Sequence, residues 1–180
     1  MDIGKYDMNK TNIILTGFMG TGKSTLGRLL AERLDYRFVD TDQLIEEQIG
    51  QSIADLFAQQ GEGAFRNLEA RLVQDLSQKR ELVIATGGGL VLNPDNVTVL
   101  SQTGRIFCLT ATPEEILERI SSQQHIRPLL QDPDPLARIT ELLEQRDASY
   151  RQFPQISTSG LSHEQLLNKL LRCIAAGDPA

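Results

Sequence analysis

One eight-residue segment constrains this chain more than any other. Residues 17–24 read Gly-Phe-Met-Gly-Thr-Gly-Lys-Ser and fit the pattern G-x-x-x-x-G-K-[ST], whose backbone N–H groups surround phosphate oxygens. An apolar run at Asn12–Thr16 predicts a strand before the segment, and a helical pattern from Lys23 to about Leu34 follows it. An ordinary glycine turn before a helix is the simpler alternative. The strand and helix on either side favour a nucleotide phosphate site.

Short apolar runs and helical patterns alternate along the rest of the chain. Further strands are predicted at 37–40, 82–86 and 105–110, with a weak one at 155–158. Helices are predicted at 43–49, 64–76, 113–120 and from about Leu161. Apolar strands joined by helices are typical of a parallel sheet covered on both faces. We therefore expect one domain over 1–180, an α/β fold of three α/β/α layers around a five-stranded parallel sheet.

Composition narrows the class of protein. With 40% hydrophobic and 23% charged residues, the 180-residue chain can bury a globular core, and its net charge of -6 gives no reason to expect nucleic acid as a partner. The two cysteines, Cys108 and Cys173, lack the spacing of a metal or redox pair, so we expect buried, unreactive thiols. No apolar stretch approaches a membrane span, and no signal-peptide core is present. We expect no membrane association and a cytoplasmic location.

The residues of the glycine-rich segment have different predicted roles. Its glycines let successive N–H groups face phosphate oxygens, Lys23 reaches the β and γ phosphates, and Ser24 supplies a hydroxyl ligand to Mg²⁺. The predicted nucleotide contacts within the segment are Gly20, Thr21, Gly22, Lys23, Ser24 and Thr25.

A second metal ligand is expected at the end of a neighbouring strand. The strand at 82–86 ends in Thr86 and three glycines rather than in an acidic residue, so we assign the metal to Asp40, acting through a bound water. We expect Asp40 and Asp42 to lie on an extended segment, where a spacing of two directs both carboxylates to one side. The alternative is that Asp42 only caps the following helix.

Four separated segments together identify a family. They are Gly17–Thr25, Phe38–Asp42, the pair Ser52–Phe57 and Gly61–Arg66, and Ala85–Gly89 with Arg127–Leu130. In this order they resemble the shikimate kinases, P-loop proteins of the nucleoside-monophosphate-kinase-like branch. The resemblance implies a P-loop kinase fold with a lid at about 121–135 and an acceptor-binding region at about 40–70. It also implies transfer of phosphate from ATP to shikimate with Mg²⁺.

The resemblance also implies roles for particular residues. Asp42 binds the acceptor hydroxyls and takes the proton of the attacking one, Arg66 and Arg146 hold the shikimate carboxylate, and Gly88 offers a backbone N–H. The lid residue Arg127 closes over the nucleotide and meets the charge on the transferred phosphoryl group. The catalytic residues expected on this basis are Lys23, Asp42 and Arg127.

Several of these residues have simpler interpretations. Arg66 lies between Glu62 and Glu69 at helical spacing, and Arg146 lies in a charged helix, so both could be solvated salt-bridge residues. Gly87–Gly89 could be a flexible turn. Phe57 and Phe65 could be plain core rather than walls of the acceptor pocket.

Contacts with adenine are the least defined part of the prediction. The family commonly has an acidic residue where this chain reads Gln155–Ser159, and Arg119 matches an adenine-side arginine only weakly. His125 and His163 have no partner at ligand spacing, so we expect no role for them beyond the surface.

Two other functions remain open from the sequence. One is a kinase for another small polar acceptor, such as gluconate or a nucleoside monophosphate. The other is a non-catalytic MgATP-binding protein that uses the same loop as a switch. We expect ATP and shikimate as ligands, and a monomer.

Overall fold

The computed structural model describes residues 12–122 and 132–176. Its five strands are β1 (Asn12–Thr16), β2 (Arg37–Asp40), β3 (Leu82–Ala85), β4 (Gly104–Thr110) and β5 (Gln155–Ser157). They pair in parallel in the order β2-β3-β1-β4-β5. The described helices are α1 (Lys23–Leu34), α2 (Thr41–Ile49), α3 (Ile53–Ser77), α4 (Pro94–Thr103), α5 (Pro113–Ser121), α6 (Pro135–Arg151) and α7 (His163–Ala175). The predicted five-stranded parallel α/β fold is confirmed.

The core lies on both faces of the sheet. Consecutive residues of β1 belong to different hydrophobic clusters, because side chains alternate between the faces of a strand. Ile14 packs with Ile84 and Leu72 on one face, and Leu15 packs with Val83 and Leu170 on the other. Burial on both faces explains why the strands read as nearly continuous apolar runs.

Three helices differ from the prediction: α4 was not predicted, and α2 and α3 begin earlier than expected. Helix α4 begins after the cap Asn93 with Pro94 in its first turn. Helix α3 begins at Ile53 rather than at 64, and Gly61 interrupts it with a φ of 77° and a ψ of 172°. Helix α2 begins at Thr41, two residues earlier than expected. Glycines and capping residues obscured the helical period at these positions.

The two cysteines differ in their surroundings. Cys108 is buried in β4, and this burial raises the pKa of its thiol to about 11. Cys173 is only half-buried, so the expectation of two buried thiols is wrong for it. Within 12–122 and 132–176, none of the helices has the length and apolar character needed to cross a membrane.

The strand register brings the predicted site together. Ala85 of β3 pairs with Asp40 of β2 on one side and with Leu15 of β1 on the other. The loops that follow these three strands therefore leave the sheet at the same edge, which is where open α/β sheets bind ligands.

Candidate active site

A cleft of about 770 Å³ lies at this carboxyl edge of the sheet. Its walls include the predicted nucleotide, metal and acceptor residues that the structure describes: Gly20, Thr21, Gly22, Lys23, Ser24, Thr25, Asp40, Asp42, Arg66, Gly88 and Arg146. Arg127 and most of the predicted lid lie outside the described residues. The cleft thus joins two groups of side chains that are far apart in the chain.

The glycine-rich loop presents backbone rather than side chains to the cleft. Gly20 and Gly22 have φ values of 76° and 90°, in the left-handed region that favours glycine. Gly22 caps α1 without a side-chain hydrogen bond, and a Cβ at this position would meet open space. Gly22 and the first residues of α1 line the cleft, so this helix N-terminus adjoins an open volume, as an anion site requires.

Lys23 lies across this loop. Its Nζ donates to the carbonyl oxygens of Gly17 and Phe18, both at 2.8 Å. These contacts hold the ammonium group beside the glycine-rich loop. A lysine placed there supplies a positive charge close to a bound triphosphate.

Ser24 and Asp40 form the pair expected to hold a metal. Ser24 Oγ donates to Asp40 Oδ2 at 2.7 Å. Both groups supply oxygen, which is the ligand type that Mg²⁺ prefers. In the part of the chain that the structure describes, no group of three metal-ligating side chains is present. Mg²⁺ is commonly held by one or two protein oxygens together with nucleotide phosphates and water, so the adjacent oxygens of Ser24 and Asp40 fit the ion.

The geometry around Asp40 contradicts the expected extended segment and also the alternative in which Asp42 caps the helix. Segment 40–42 is not extended, because β2 ends at Asp40 and α2 begins at Thr41. Asp40 rather than Asp42 is the cap of α2, since Asp40 Oδ1 accepts from the N–H groups of Asp42 and Gln43 at 3.2 and 3.4 Å. The helical turn nevertheless leaves Asp40 and Asp42 on the same cleft.

Asp42 is a half-buried carboxyl group without an internal partner for one oxygen. Its Oδ1 is buried and has no hydrogen bond among the described residues. Burial first, and the negative charge of Asp40 second, raise its pKa to about 6. A carboxyl group with this pKa gains or loses a proton near neutral pH, as a general base does.

Arg66 is an ion-pair residue and also lines the cleft. Its Nε and Nη2 donate to Glu62 Oε1 at 3.0 and 2.5 Å, and its Nη1 donates to Glu69 Oε2 at 2.7 Å. The salt-bridge interpretation is therefore correct, but it does not exclude the binding role. These three bonds hold a planar guanidinium group at the cleft wall.

Arg146 does not pair with its acidic neighbour in the helix. Asp147 pairs instead with Arg151 at 2.7 Å. The guanidinium carbon of Arg146 lies 5.3 Å from the centre of the Phe18 ring, within cation–π range. Arg146 therefore approaches the phosphate loop from α6.

Each glycine of Gly87–Gly89 lies against one predicted acceptor residue. A Cβ at Gly87 would occupy the space of the Asp42 carboxylate, and a Cβ at Gly89 would lie 2.7 Å from both Nη1 and Nη2 of Arg66. At Gly88 the nearest side-chain atoms would be Arg146 Nη1 and Tyr150 Oη, both at 3.6 Å. The triplet is therefore a close-packed wall rather than a flexible turn.

The two phenylalanines share the same wall. Phe57 and Phe65 meet edge to face at 5.2 Å between ring centres, and both line the cleft. Phe65 is 5% exposed and belongs to the core, whereas Phe57 is 40% exposed. Both the core and the pocket interpretations thus hold for Phe65.

Sequence reasoning missed several residues that line the cleft: Ile53, Glu69, Thr86, Leu161 and His163. Glu69 is 1% exposed, and burial raises its pKa despite its pairing with Arg66. A glutamate three residues after Arg66 was visible in the sequence, but only as half of an exposed pair. His163 is exposed and lies on the cleft, where the sequence offered no sign of a role.

Arg119 connects the phosphate loop to the end of β5. Its Nη1 donates to Gly20 O at 3.3 Å and to Thr158 Oγ1 at 2.9 Å. Both Arg119 and Thr158 line the cleft. This is the side on which the sequence predicted adenine contacts only weakly.

Comparison with known proteins agrees with this geometry. The family model described as shikimate kinase matches residues 19–175. The chain belongs to the shikimate kinase family. It is 51% identical over 140 residues to a shikimate kinase of Caldanaerobacter subterraneus subsp. tengcongensis, covering 78% of this chain and 81% of the relative. It is 42% identical over 162 residues to that of Thermodesulfovibrio yellowstonii, covering 89% and 93%.

Solved structures of shikimate kinases share the fold. The shikimate kinase of Acinetobacter baumannii, solved in complex with shikimate, superposes with a TM-score of 0.86 at 36% identity and covers 95% of this chain and 96% of that one. The resemblance drawn from four sequence segments is therefore confirmed, and it extends over nearly the whole chain.

Proposed function

We propose that this protein transfers the γ-phosphoryl group of ATP to the 3-hydroxyl of shikimate, giving ADP and shikimate 3-phosphate. The observation that carries the proposal is the cleft itself, whose lining combines the glycine-rich loop at the N-terminus of α1 with the guanidinium groups of Arg66 and Arg146 and the carboxylate of Asp42. A triphosphate and a hydroxylated carboxylic acid are the ligands that such a pair of surfaces fits.

On the nucleotide side, backbone N–H groups from Gly20 to Thr25 bind the phosphates, and Lys23 neutralises charge at the β and γ positions. Lys23 exchanges its loop carbonyl partners for phosphate oxygens when ATP binds. Arg127, whose placement the structure does not describe, closes over the transferred group and excludes water.

Ser24 and Asp40 hold Mg²⁺, Ser24 through its hydroxyl and Asp40 through a bound water. Held there, the ion would supply positive charge that offsets the charge developing on the phosphates during transfer. The hydrogen bond between the two side chains supports this assignment, because it places both oxygens at one point beside the loop.

On the acceptor side, Arg66 and Arg146 bind the carboxylate of shikimate and Gly88 donates its N–H. Asp42 accepts hydrogen bonds from the acceptor hydroxyls and takes the proton of the attacking one as its oxygen bonds to phosphorus. The raised pKa of Asp42 suits this transfer, because a base with a pKa near the working pH is both deprotonated and able to hold a proton.

An acceptor panel tests the proposal. ADP release is measured with shikimate, quinate, gluconate and AMP as acceptors, each with MgATP. We expect shikimate to support turnover. AMP should fail because it has no carboxylate for the guanidinium groups, and gluconate should fail because its hydroxyls lie on a flexible open chain rather than on a ring. Faster turnover with gluconate or AMP than with shikimate would overturn the proposal.

A non-catalytic switch would bind MgATP and form no phosphorylated acceptor. Single-turnover mixing of γ-labelled ATP with excess shikimate separates the two, since only a kinase moves the label to the acid. Two further features stay predictions: a monomeric state, testable by light scattering, and a cytoplasmic location, testable by fractionation of the source cells.

A further inference from the structure

Two buried hydroxyl groups anchor the glycine triplet from outside the cleft. Tyr150 Oη, at the last turn of α6, donates to Gly88 O at 2.7 Å. Thr41 Oγ1, at the first turn of α2, accepts from Gly87 N–H at 2.8 Å. Tyr150 is 5% exposed and Thr41 is 1% exposed. Neither residue lines the cleft of about 770 Å³, so neither touches a ligand bound there.

These two bonds fix the peptide planes on either side of the Gly88 N–H. Each peptide unit is planar and trans, so its carbonyl and N–H point in opposite directions. Thr41 orients the peptide plane between Thr86 and Gly87, and Tyr150 orients the peptide plane between Gly88 and Gly89. The plane between them is held by Leu90 N–H, which donates to Gly87 O at 3.2 Å. The Gly88 N–H therefore points away from this turn.

The Gly88 N–H has no hydrogen-bond partner among residues 12–122 and 132–176. Three successive glycines have more backbone freedom than any other tripeptide, so their own torsional preferences do not fix that N–H. The bond from Leu90 N–H to Gly87 O, with the Thr41 and Tyr150 bonds on either side, is what holds it in one direction.

We infer that Tyr150 is a positioning residue for the acceptor, with Thr41 as its counterpart on the opposite end of the triplet. Tyr150 fixes the peptide plane that follows Gly88, while Thr41 and the Leu90 N–H fix the two planes before it, and together these bonds hold the Gly88 N–H toward the acceptor. The inference rests on the proposed function, because it names how that same site binds the acid.

Tyr150 lies close to Arg146, the residue proposed to bind the acceptor directly. Arg146 and Tyr150 are four residues apart on α6 and lie on one face of the helix. A Cβ at Gly88 would be 3.6 Å from Arg146 Nη1 and 3.6 Å from Tyr150 Oη. One helix thus carries both the Arg146 guanidinium group and the Tyr150 hydroxyl that holds the neighbouring glycine triplet.

Replacing Tyr150 by Phe tests the inference, since it removes the hydroxyl and keeps the buried ring. We expect the KM for shikimate to rise about tenfold, the size of effect that one lost hydrogen bond produces, while the KM for MgATP changes less than twofold. Tyr36→Phe is the matched control, because Tyr36 packs on the other face of the sheet and should leave both constants unchanged.

A merely structural role for Tyr150 would give a different result. It would lower the Tm and leave the KM for shikimate within twofold of the wild-type value, which would overturn the inference. Equal rises in both KM values would also overturn it. Thr41→Val should repeat the selective rise in the KM for shikimate, and Thr41→Ser, which keeps the hydroxyl, should restore it; a normal KM in Thr41→Val would remove Thr41 from the role.

The wild-type protein separates this inference from the proposed function. If wild-type protein fails to phosphorylate shikimate, the proposed function is wrong. If wild-type protein is active and Tyr150→Phe keeps the wild-type KM for shikimate, only the positioning role is wrong.

Discussion

Ser24 and Asp40 are 16 residues apart in the chain and 2.7 Å apart between Oγ and Oδ2. The bond joins the first turn of α1 to the end of β2. Asp40 also caps α2 with its other oxygen. The Asp40 carboxylate therefore joins Ser24, at the start of α1, to α2, the helix that carries Asp42.

Asp40→Asn should weaken the binding of Mg²⁺ without unfolding α2. Asparagine is as good a helix cap as aspartate, so the fold should persist while the negative charge is lost. We expect the Mg²⁺ concentration for half-maximal turnover to rise by about tenfold, and the affinity for Mg-free ADP in calorimetry to stay within twofold. Asp95→Asn, an exposed change on α4, should alter neither value. An unchanged Mg²⁺ requirement in Asp40→Asn would exclude Asp40 from the metal site.

Asp42→Asn should abolish nearly all turnover while ATP binding persists, because the amide cannot take the proton of the attacking hydroxyl. In the wild-type protein, activity should rise with pH through an apparent pKa of about 6, since the ionised form of Asp42 is the base. The measurement is kcat/KM for shikimate between pH 5 and 8. Substantial turnover in Asp42→Asn would remove Asp42 from catalysis.

The same substitution should stabilise the empty protein at neutral pH. The folded-state pKa of Asp42 lies above its usual 3.8, so ionisation between about pH 4 and 6 favours the unfolded chain. We expect Asp42→Asn to raise the free energy of unfolding by roughly 1 to 2 kcal/mol at pH 7.5, and by little at pH 4. Urea unfolding at both pH values measures the difference. A gain that is equal at the two pH values would show that ionisation is not its cause.

Arg66→Ala should chiefly raise the KM for shikimate, by about 100-fold, because a charged bond to the carboxylate is lost. Arg151→Ala is the control. Arg151 also forms an ion pair with an acid four residues earlier, but its side chain is 76% exposed and lies away from the cleft. A fall in ATP affinity alone after Arg66→Ala would show that the acceptor-side assignment is wrong.

Gly89→Ala should impair the acceptor site through a side-chain contact. Gly89 has a φ of -98°, which alanine adopts without strain, but the new Cβ would press on both terminal nitrogens of Arg66. We expect the KM for shikimate to rise about tenfold or more. Gly63→Ala, where a Cβ meets no atom within 4 Å, should leave it unchanged and stabilise α3 by roughly 0.5 to 1 kcal/mol. Equal kinetics in both variants would contradict the close packing at Gly89.

Much of the fold could be predicted because its signals are local. The apolar runs of the five strands and the glycine-rich loop each lie within a few residues, and buried parallel strands need no alternation to be recognised. The first half of α3 and all of α4 were not predicted because caps and glycines break the helical period. The prediction of an extended segment at 40–42 was wrong, because Asp40 ends its strand and caps the next helix.

The sequence by itself determined the family, through four ordered segments, and it predicted the chemistry of the loop at 17–24. The tertiary structure decided which polar groups share one cleft and what surrounds them. Spacing alone could not distinguish Arg66 in a solvated pair from Arg66 held against Gly89, nor show that Tyr150 anchors Gly88 from 62 residues away. The physical reason is that burial, pKa and hydrogen-bond direction depend on neighbours in space, which the strand register brings together at a single edge of the sheet.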